Sequence, residues 1–403
     1  MFTVRRPSGD LSVVTDSDLG LSSFTVAVLV PVSSRDEPDD RIGLSHLLEH
    51  LVMSVPGAAG ERPFCDWVSE VGGQANAMTT KESVFYWART PPATGLACVE
   101  RLAAAVAAPD ITDELCTAER RVVLQELVSA AADQEDVATE RFYATLFAGH
   151  PLARPVGGAV DSFPEPSAAE VLAWHNGNLD AVSPVVSLVG PRALLDDAVD
   201  VLARSALGRT VAGRRRARDP VPPRRPGPVS VRVDPDQEYA HLAAGGLGVA
   251  RADPLWSAYE VLTAMVGGLP GSLLYDRLRN ELGAVYQLVS VHTPLSDTGA
   301  WRVSVGTTPD ESAAVLSVVL RTLTDVADGR VPPAVFTSAV EQCLGANLLD
   351  NEDPVERAYL NARDGRAGES PVERNEKALR RTETGQVAEA AARVLGSYVV
   401  VGS

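Results

Sequence analysis

The stretch AGRRRARDPVPPRRPGP, Ala212 to Pro228, constrains the fold of this 403-residue chain more than any other. Its prolines lack the N–H that a helix interior or an inner strand requires, and its arginines repel one another. No packed element can run through it, so residues 212–228 are predicted to be an exposed linker. A domain over residues 1–211 precedes it and one over 229–403 follows, each of ordinary size. With 45% hydrophobic residues the chain has the apolar side chains to bury substantial cores.

The two parts open in the same order. In the first, SSFTVAVLVPVSS is β-rich, GLSHLLEHLVMS is an amphipathic helix and RPFCDWVSEVGG a short second helix. Strands QANAMTT and SVFYWART follow, then a helical block from Ala93 through Leu146. In the second, strand YAHLAAGGLGV and helix PLWSAYEVLTAMVGG come first, followed by the helix GSLLYDRLRNEL. The strand pair AVYQLVSVHT and AWRVSVGTT then leads into long helices. Matching order predicts an α+β fold of two similar domains from an internal duplication, each a mixed, mainly antiparallel sheet packed by helices.

A formal net charge of −17 argues against a nucleic-acid partner, because phosphate binding needs a basic surface. The first residues carry no apolar signal segment, and no run approaches the ~18 apolar residues that span a bilayer. A cytoplasmic chain without a membrane partner is therefore expected. Cys65, Cys98, Cys116 and Cys343 show no C-x-x-C spacing and are expected to be free thiols.

The chemistry concentrates in HLLEH, which holds two of the chain's six histidines. His46 and His50 are four apart, one helical turn on one face, so both imidazoles can reach one ion. Glu49 lies at the edge of that face, able to take a proton from a water at the ion without being a ligand. A zinc hydrolase needs this layout and a third ligand. The helix DELCTAERRVVLQELVSAA offers Glu119 and Glu126, seven apart and on one side, interleaved with Val122, Val123 and Leu127, which are expected to be buried. One carboxylate as ligand and the other orienting a histidine would resolve the cost of placing both against apolar side chains. His150, His175, His241 and His292 have no ligand spacing and read as structural or surface residues. From the residues alone, Arg279 reads as a solvated helix charge and Tyr286 as a strand-core aromatic.

HLLEH is the inverted zinc motif, and Glu126 lies 76 positions past His50. With that spacing the chain resembles the pitrilysin or insulinase family, including its mitochondrial processing peptidase-like bacterial members. GGQANAMTTKESVFYW is similar to that family's Gly-Gly…Asn-Ala strand, HPLARPVGG to its segment after the ligand helix, and GSLLYDRLRNELGAVYQL to an element of its second domain. The resemblance covers essentially the whole chain. It implies zinc ligands at His46, His50 and Glu126, a general base at Glu49 and a supporting carboxylate at Glu119. It further implies a peptide-accepting edge strand at Asn76 and Ala77, and substrate-holding, carbonyl-assisting side chains at Arg279 and Tyr286.

The implied activity is a zinc metalloendopeptidase that cleaves short or unfolded peptides inside a chamber closed by two chains. The resemblance leaves open a homodimer or a heterodimer with a homologous subunit. Two alternatives stand beside it: a leader-peptide maturase working as a heterodimer, and a non-catalytic scaffold subunit of a peptidase-like complex.

Overall fold

A computed structural model describes residues 1–8, 11–17, 20–55, 62–209, 238–365 and 368–402. The predicted linker, residues 212–228, lies outside the described residues. The chain forms two compact units of mixed helix and sheet, as the repeated order of elements predicts.

The first unit holds strands β1 (Phe2–Arg5), β2 (Ser12–Ser17), β3 (Phe24–Val30), β4 (Gln74–Thr79), β5 (Val84–Thr90) and β6 (Val185–Gly190). They form one sheet in the order β1-β2-β6-β3-β5-β4. Only the β2/β6 pair is parallel; β3 runs antiparallel to both β6 and β5, and β4 antiparallel to β5 at the sheet's edge. Alternate residues point to opposite faces of a strand, and here both faces are apolar. Val26, Val28 and Val30 of β3 enter the main core, which also takes Leu47, Leu51 and Val52 of the helix Leu44–Ser54. Ala27 and Leu29 face the other way, into a smaller core with Ala358 and Ala362 of the helix Pro354–Asp364.

The second unit holds β7 (Ala240–Gly248), β8 (Gln287–Pro294), β9 (Gly299–Thr307) and β10 (Val399–Gly402), antiparallel throughout in the order β10-β7-β9-β8. Leu242, Ala244, Trp301, Val303 and Val400 share a core with the helix Trp256–Val266. Ala243, Ala300, Val399 and Val401 face Phe142, Tyr143 and Leu146 of the helix Gln134–Leu146.

The units are not the two continuous segments that the linker suggests. Val128–Arg154 belongs to the second unit and Leu349–Arg374 to the first. The reason is the second apolar face of each sheet: neighbouring chain covers one face, and a helix supplied from the other half of the sequence covers the other. The same device starts both helices. Asp133 accepts from the N–H groups of Glu135 and Asp136, and Asp353 from those of Val355 and Glu356, each satisfying orphan donors of a first turn.

Candidate metal centre

The helix Leu44–Ser54 starts under tight control. Gly43 precedes it at φ 101°, a left-handed conformation, and an added Cβ there would meet the Phe163 ring at 2.6 Å. The buried Glu37 carboxylate accepts from Gly43 N–H at 2.8 Å and from Ser45 N–H at 2.6 Å, serving as the cap that the helix's own sequence lacks. Leu44, Leu47, Leu48 and Leu51 bury one side of the helix, which leaves His46, Glu49 and His50 on the half-buried side.

His46 and His50 sit with ring centroids 5.0 Å apart. Glu126 Oε2, from the helix Asp113–Ala132, lies 3.5 Å from His46 Nε2 and 3.4 Å from His50 Nε2. Among the described residues, these three offer donor atoms that all lie within 4.8 Å of one another. Two ligands at about 2.0–2.2 Å from a tetrahedral zinc stand roughly 3.3–3.6 Å apart, so the donor types and both nitrogen-to-carboxylate spacings fit that ion. On the far side of His50, Nδ1 faces Glu119 Oε2 at 3.4 Å, placing a carboxylate where it can orient the ring. His46 Nδ1 is buried against the Gly157 backbone, which favours its proton without closing a hydrogen bond of good geometry. Burial, and then His50 beside it, hold the His46 imidazole below its ordinary pKa, in the neutral form that binds metals. Gly157 permits this approach: a Cβ there would meet Leu127 at 2.9 Å and His46 Nδ1 at 3.2 Å.

Burial raises the Glu49 carboxyl above its usual range, opposed by a hydrogen bond that Thr79 Oγ1 donates to Oε2. Thr79 is the last residue of β4, whose side chains alternate: Gln74, Asn76 and Met78 exposed, Ala75, Ala77 and Thr79 half-buried. Ala77 N–H donates to Asn76 Oδ1 at 2.9 Å, so Asn76 and Ala77 occupy an open sheet edge.

One expectation for the glutamate helix needs correction. Val123 is buried and Leu127 half-buried, but Val122 is 42% exposed and the Glu126 side chain 51% exposed. Glu119, at 16%, is the enclosed carboxylate of the pair. The helix has an apolar face, and Glu126 stands at its margin instead of within it.

Arg279 and Tyr286 belong to the second unit and meet there: Arg279 Nη1 donates to the Tyr286 carbonyl at 3.3 Å. Arg279 lies on a π-helical segment, Tyr275–Glu281, a wider winding that often marks functional positions. Tyr286 is 47% exposed, so it is no core aromatic. The helix Trp256–Val266, counterpart of the histidine helix by element order, contains no histidine. Sequence reasoning missed Glu37, Thr79 and Gly157, which serve this site from other elements. Thr79 had a signal in its two-residue offset from Ala77 along one strand, and Gly157 lies in the HPLARPVGG segment already singled out.

Two similar α+β units, one carrying a His/His/Glu cluster beside the half-buried Glu49 carboxyl, define a class of metallopeptidase-like proteins. Residues 12–160 match the insulinase family (peptidase family M16), and residues 167–343 match the peptidase M16 inactive domain. The chain belongs to the insulinase family. A Mycobacterium leprae protein named an uncharacterized zinc protease is 30% identical over 353 residues, 86% of this chain and 78% of that one. A probable mitochondrial-processing peptidase subunit beta of Arabidopsis thaliana is 23% identical, over 87% of this chain and 67% of that one. The crystal structure of a protease from Helicobacter pylori shares the fold at a TM-score of 0.88 and 18% identity, covering 100% of this chain and 99% of the other.

Proposed function

We propose that the chain is a zinc endopeptidase of short or unfolded peptides, with His46, His50 and Glu126 as ligands and Glu49 as general base. The observation that carries this reading is the spacing of the three donor atoms, 3.4 and 3.5 Å from the shared Glu126 oxygen. Zinc bound there would act as a Lewis acid, making a water acidic and polarising the scissile carbonyl. Glu49 takes the proton of the attacking water and returns it to the leaving amine; its burial makes it a stronger base than an exposed carboxylate. Thr79 holds the Glu49 carboxyl in place through its hydroxyl. Glu119 orients His50. Asn76 and Ala77 accept the substrate backbone along the β4 edge, a mode that reads main chain more than side chains. Arg279 and Tyr286 hold substrate and hydrogen-bond its carbonyl oxygen.

We extend the proposal to assembly: two chains, identical or homologous, are needed for a working site. The relative from Arabidopsis, named as a subunit, supports that extension.

The test measures zinc content and peptide cleavage in the same preparations. Wild type should bind about one zinc per chain, and His46→Ala, His50→Ala and Glu126→Ala should each lose it. Glu49→Gln should keep zinc while hydrolysis falls by about a hundredfold or more, because it removes a base and no ligand. Zinc loss in Glu49→Gln as complete as in His46→Ala would overturn the assignment.

A further inference from the structure

Tyr286 is held more firmly than an exposed tyrosine needs to be. It immediately precedes β8, and its N–H donates to the Gly306 carbonyl of β9 at 3.2 Å. Its ring then lies across Gly306: a Cβ built on that residue would stand 2.6 Å from two ring carbons and 2.8 Å from the hydroxyl. Gly306 pairs with Gln287 of β8 on one side and His241 of β7 on the other. The side chain thus crosses β9 over a residue without a side chain, and its hydroxyl reaches His241 Nε2 at 2.7 Å. Tyr239 closes edge-on against the same ring, centroids 4.9 Å apart. Arg279 ties down the Tyr286 carbonyl. Ring, backbone and hydroxyl each have a fixed partner.

A phenol has one proton and two lone pairs. If His241 Nε2 is bare, it takes that proton and Tyr286 has none left for a substrate. If Nε2 carries a hydrogen, His241 donates to the hydroxyl oxygen, and the Tyr286 proton is free to point at a peptide carbonyl. The geometry points to His241 as a positioning residue: it donates Nε2–H to Tyr286, over the floor that Gly306 leaves open, and so aims the phenol proton at substrate. This rests on the proposed peptidase reading and adds to it a residue outside the histidine pair. The surroundings keep the proton on the phenol, which the arrangement requires. Burial, Tyr239, and Glu135 and Asp133 at the start of the neighbouring helix keep the phenol above its usual pKa, in the form that donates. Gln287, beside Tyr286, donates in turn to Glu135.

Two measurements on the full chain test this. The first does not depend on activity: long-range proton–nitrogen NMR of the ¹⁵N-histidine-labelled protein, with His241 assigned from His241→Gln. Nε2 should carry the proton, and its resonance should move in Tyr286→Phe. A bare Nε2 in wild type, or a His241 ring unchanged by Tyr286→Phe, overturns the inference whether or not the protein cleaves peptides. The second is a double-mutant cycle on peptide cleavage. His241→Phe should lower kcat about tenfold or more with little change in KM, bounded by the loss in Tyr286→Phe. His241→Gln, whose amide can still donate, should recover most of it. In the Tyr286→Phe background His241→Phe should cost less than about twofold. A loss that adds in full to that of Tyr286→Phe would make His241 merely structural. His241→Ala replaces His241→Phe in the same cycle if the larger ring prevents folding. Absence of any cleavage in wild type would defeat the peptidase reading alone, and the ring-nitrogen measurement would still decide the role of His241.

Discussion

At the scale of single residues, the site divides into what helical spacing reveals and what the fold brings in. His46, Glu49 and His50 were legible because one turn of helix puts them together. Glu37, Thr79 and Gly157 were not, because each acts from another element through a contact that no local period encodes. His175 was read as a structural or surface residue; it is buried, and that carries a consequence for stability. It is 4% exposed, and its Nε2 has no hydrogen-bond partner. Ser45 and Tyr86 line the same small cavity beneath the histidine helix. Burial pushes its pKa down to about 4, partly offset by a hydrogen bond with the Val106 backbone. The unfolded imidazole titrates near ~6.5, so on acidification the unfolded chain takes up this proton first. The stabilising contribution is whole above about pH 6.5 and is lost as pH falls toward the folded value, by roughly 1.4 kcal/mol per unit. Chemical denaturation from pH 7 to pH 4 should therefore show wild type losing about 2–3 kcal/mol relative to His175→Leu. Parallel losses in the two proteins would show that His175 charges as readily in the folded state as in the unfolded.

At the scale of elements, the strands of seven or more residues were readable and most of the shorter ones were not. The runs that became β3, β4, β5, β7, β8 and β9 were all recognised as strands. β1, β2, β6 and β10 were missed: each has four to six residues, and a short apolar run such as VVSLVG of β6 cannot be told from a buried helix segment by its period. The helix Pro354–Asp364 falls among the long helices expected after the strand pair, but its packing partner was not legible, since its buried face is built on small residues, Ala358 and Ala362, with Asn361 beside them. The open edge of β4 is the element that the proposed function depends on. Ala77→Pro removes the one N–H that Asn76 now occupies, at an edge where proline is tolerated. The variant should fold and keep zinc while kcat/KM falls about tenfold, chiefly through KM, from the lost backbone hydrogen bond. An unchanged kcat/KM would mean that peptides are not laid along this edge.

At the scale of the whole molecule, the repeated order of elements was visible in the sequence, whereas the exchange of helices between the halves was not. A linker marks where chain is exposed, but which sheet face a distant helix covers depends on long-range packing. The proposal that two chains must combine has its own test. Glu49→Gln and the double variant Arg279→Ala, Tyr286→Phe should each be nearly inactive as pure preparations. If one chain's Glu49 works with the other chain's Arg279 and Tyr286, mixed dimers hold one intact site and regain a sizeable fraction of wild-type activity. Subunit exchange is verified separately by mass spectrometry of differently tagged chains. Verified exchange with no regained activity would rule out sites shared between identical chains.

The central claim, that His46, His50 and Glu126 hold zinc beside Glu49, is tested most directly by X-ray absorption at the zinc edge. The account predicts a first shell of nitrogen and oxygen only, at about 2.0–2.2 Å, with the imidazole scattering of two histidines. That shell should be preserved in Glu49→Gln and lost in Glu126→Ala. A sulfur scatterer near ~2.3 Å, or a shell unchanged by Glu126→Ala, would contradict it.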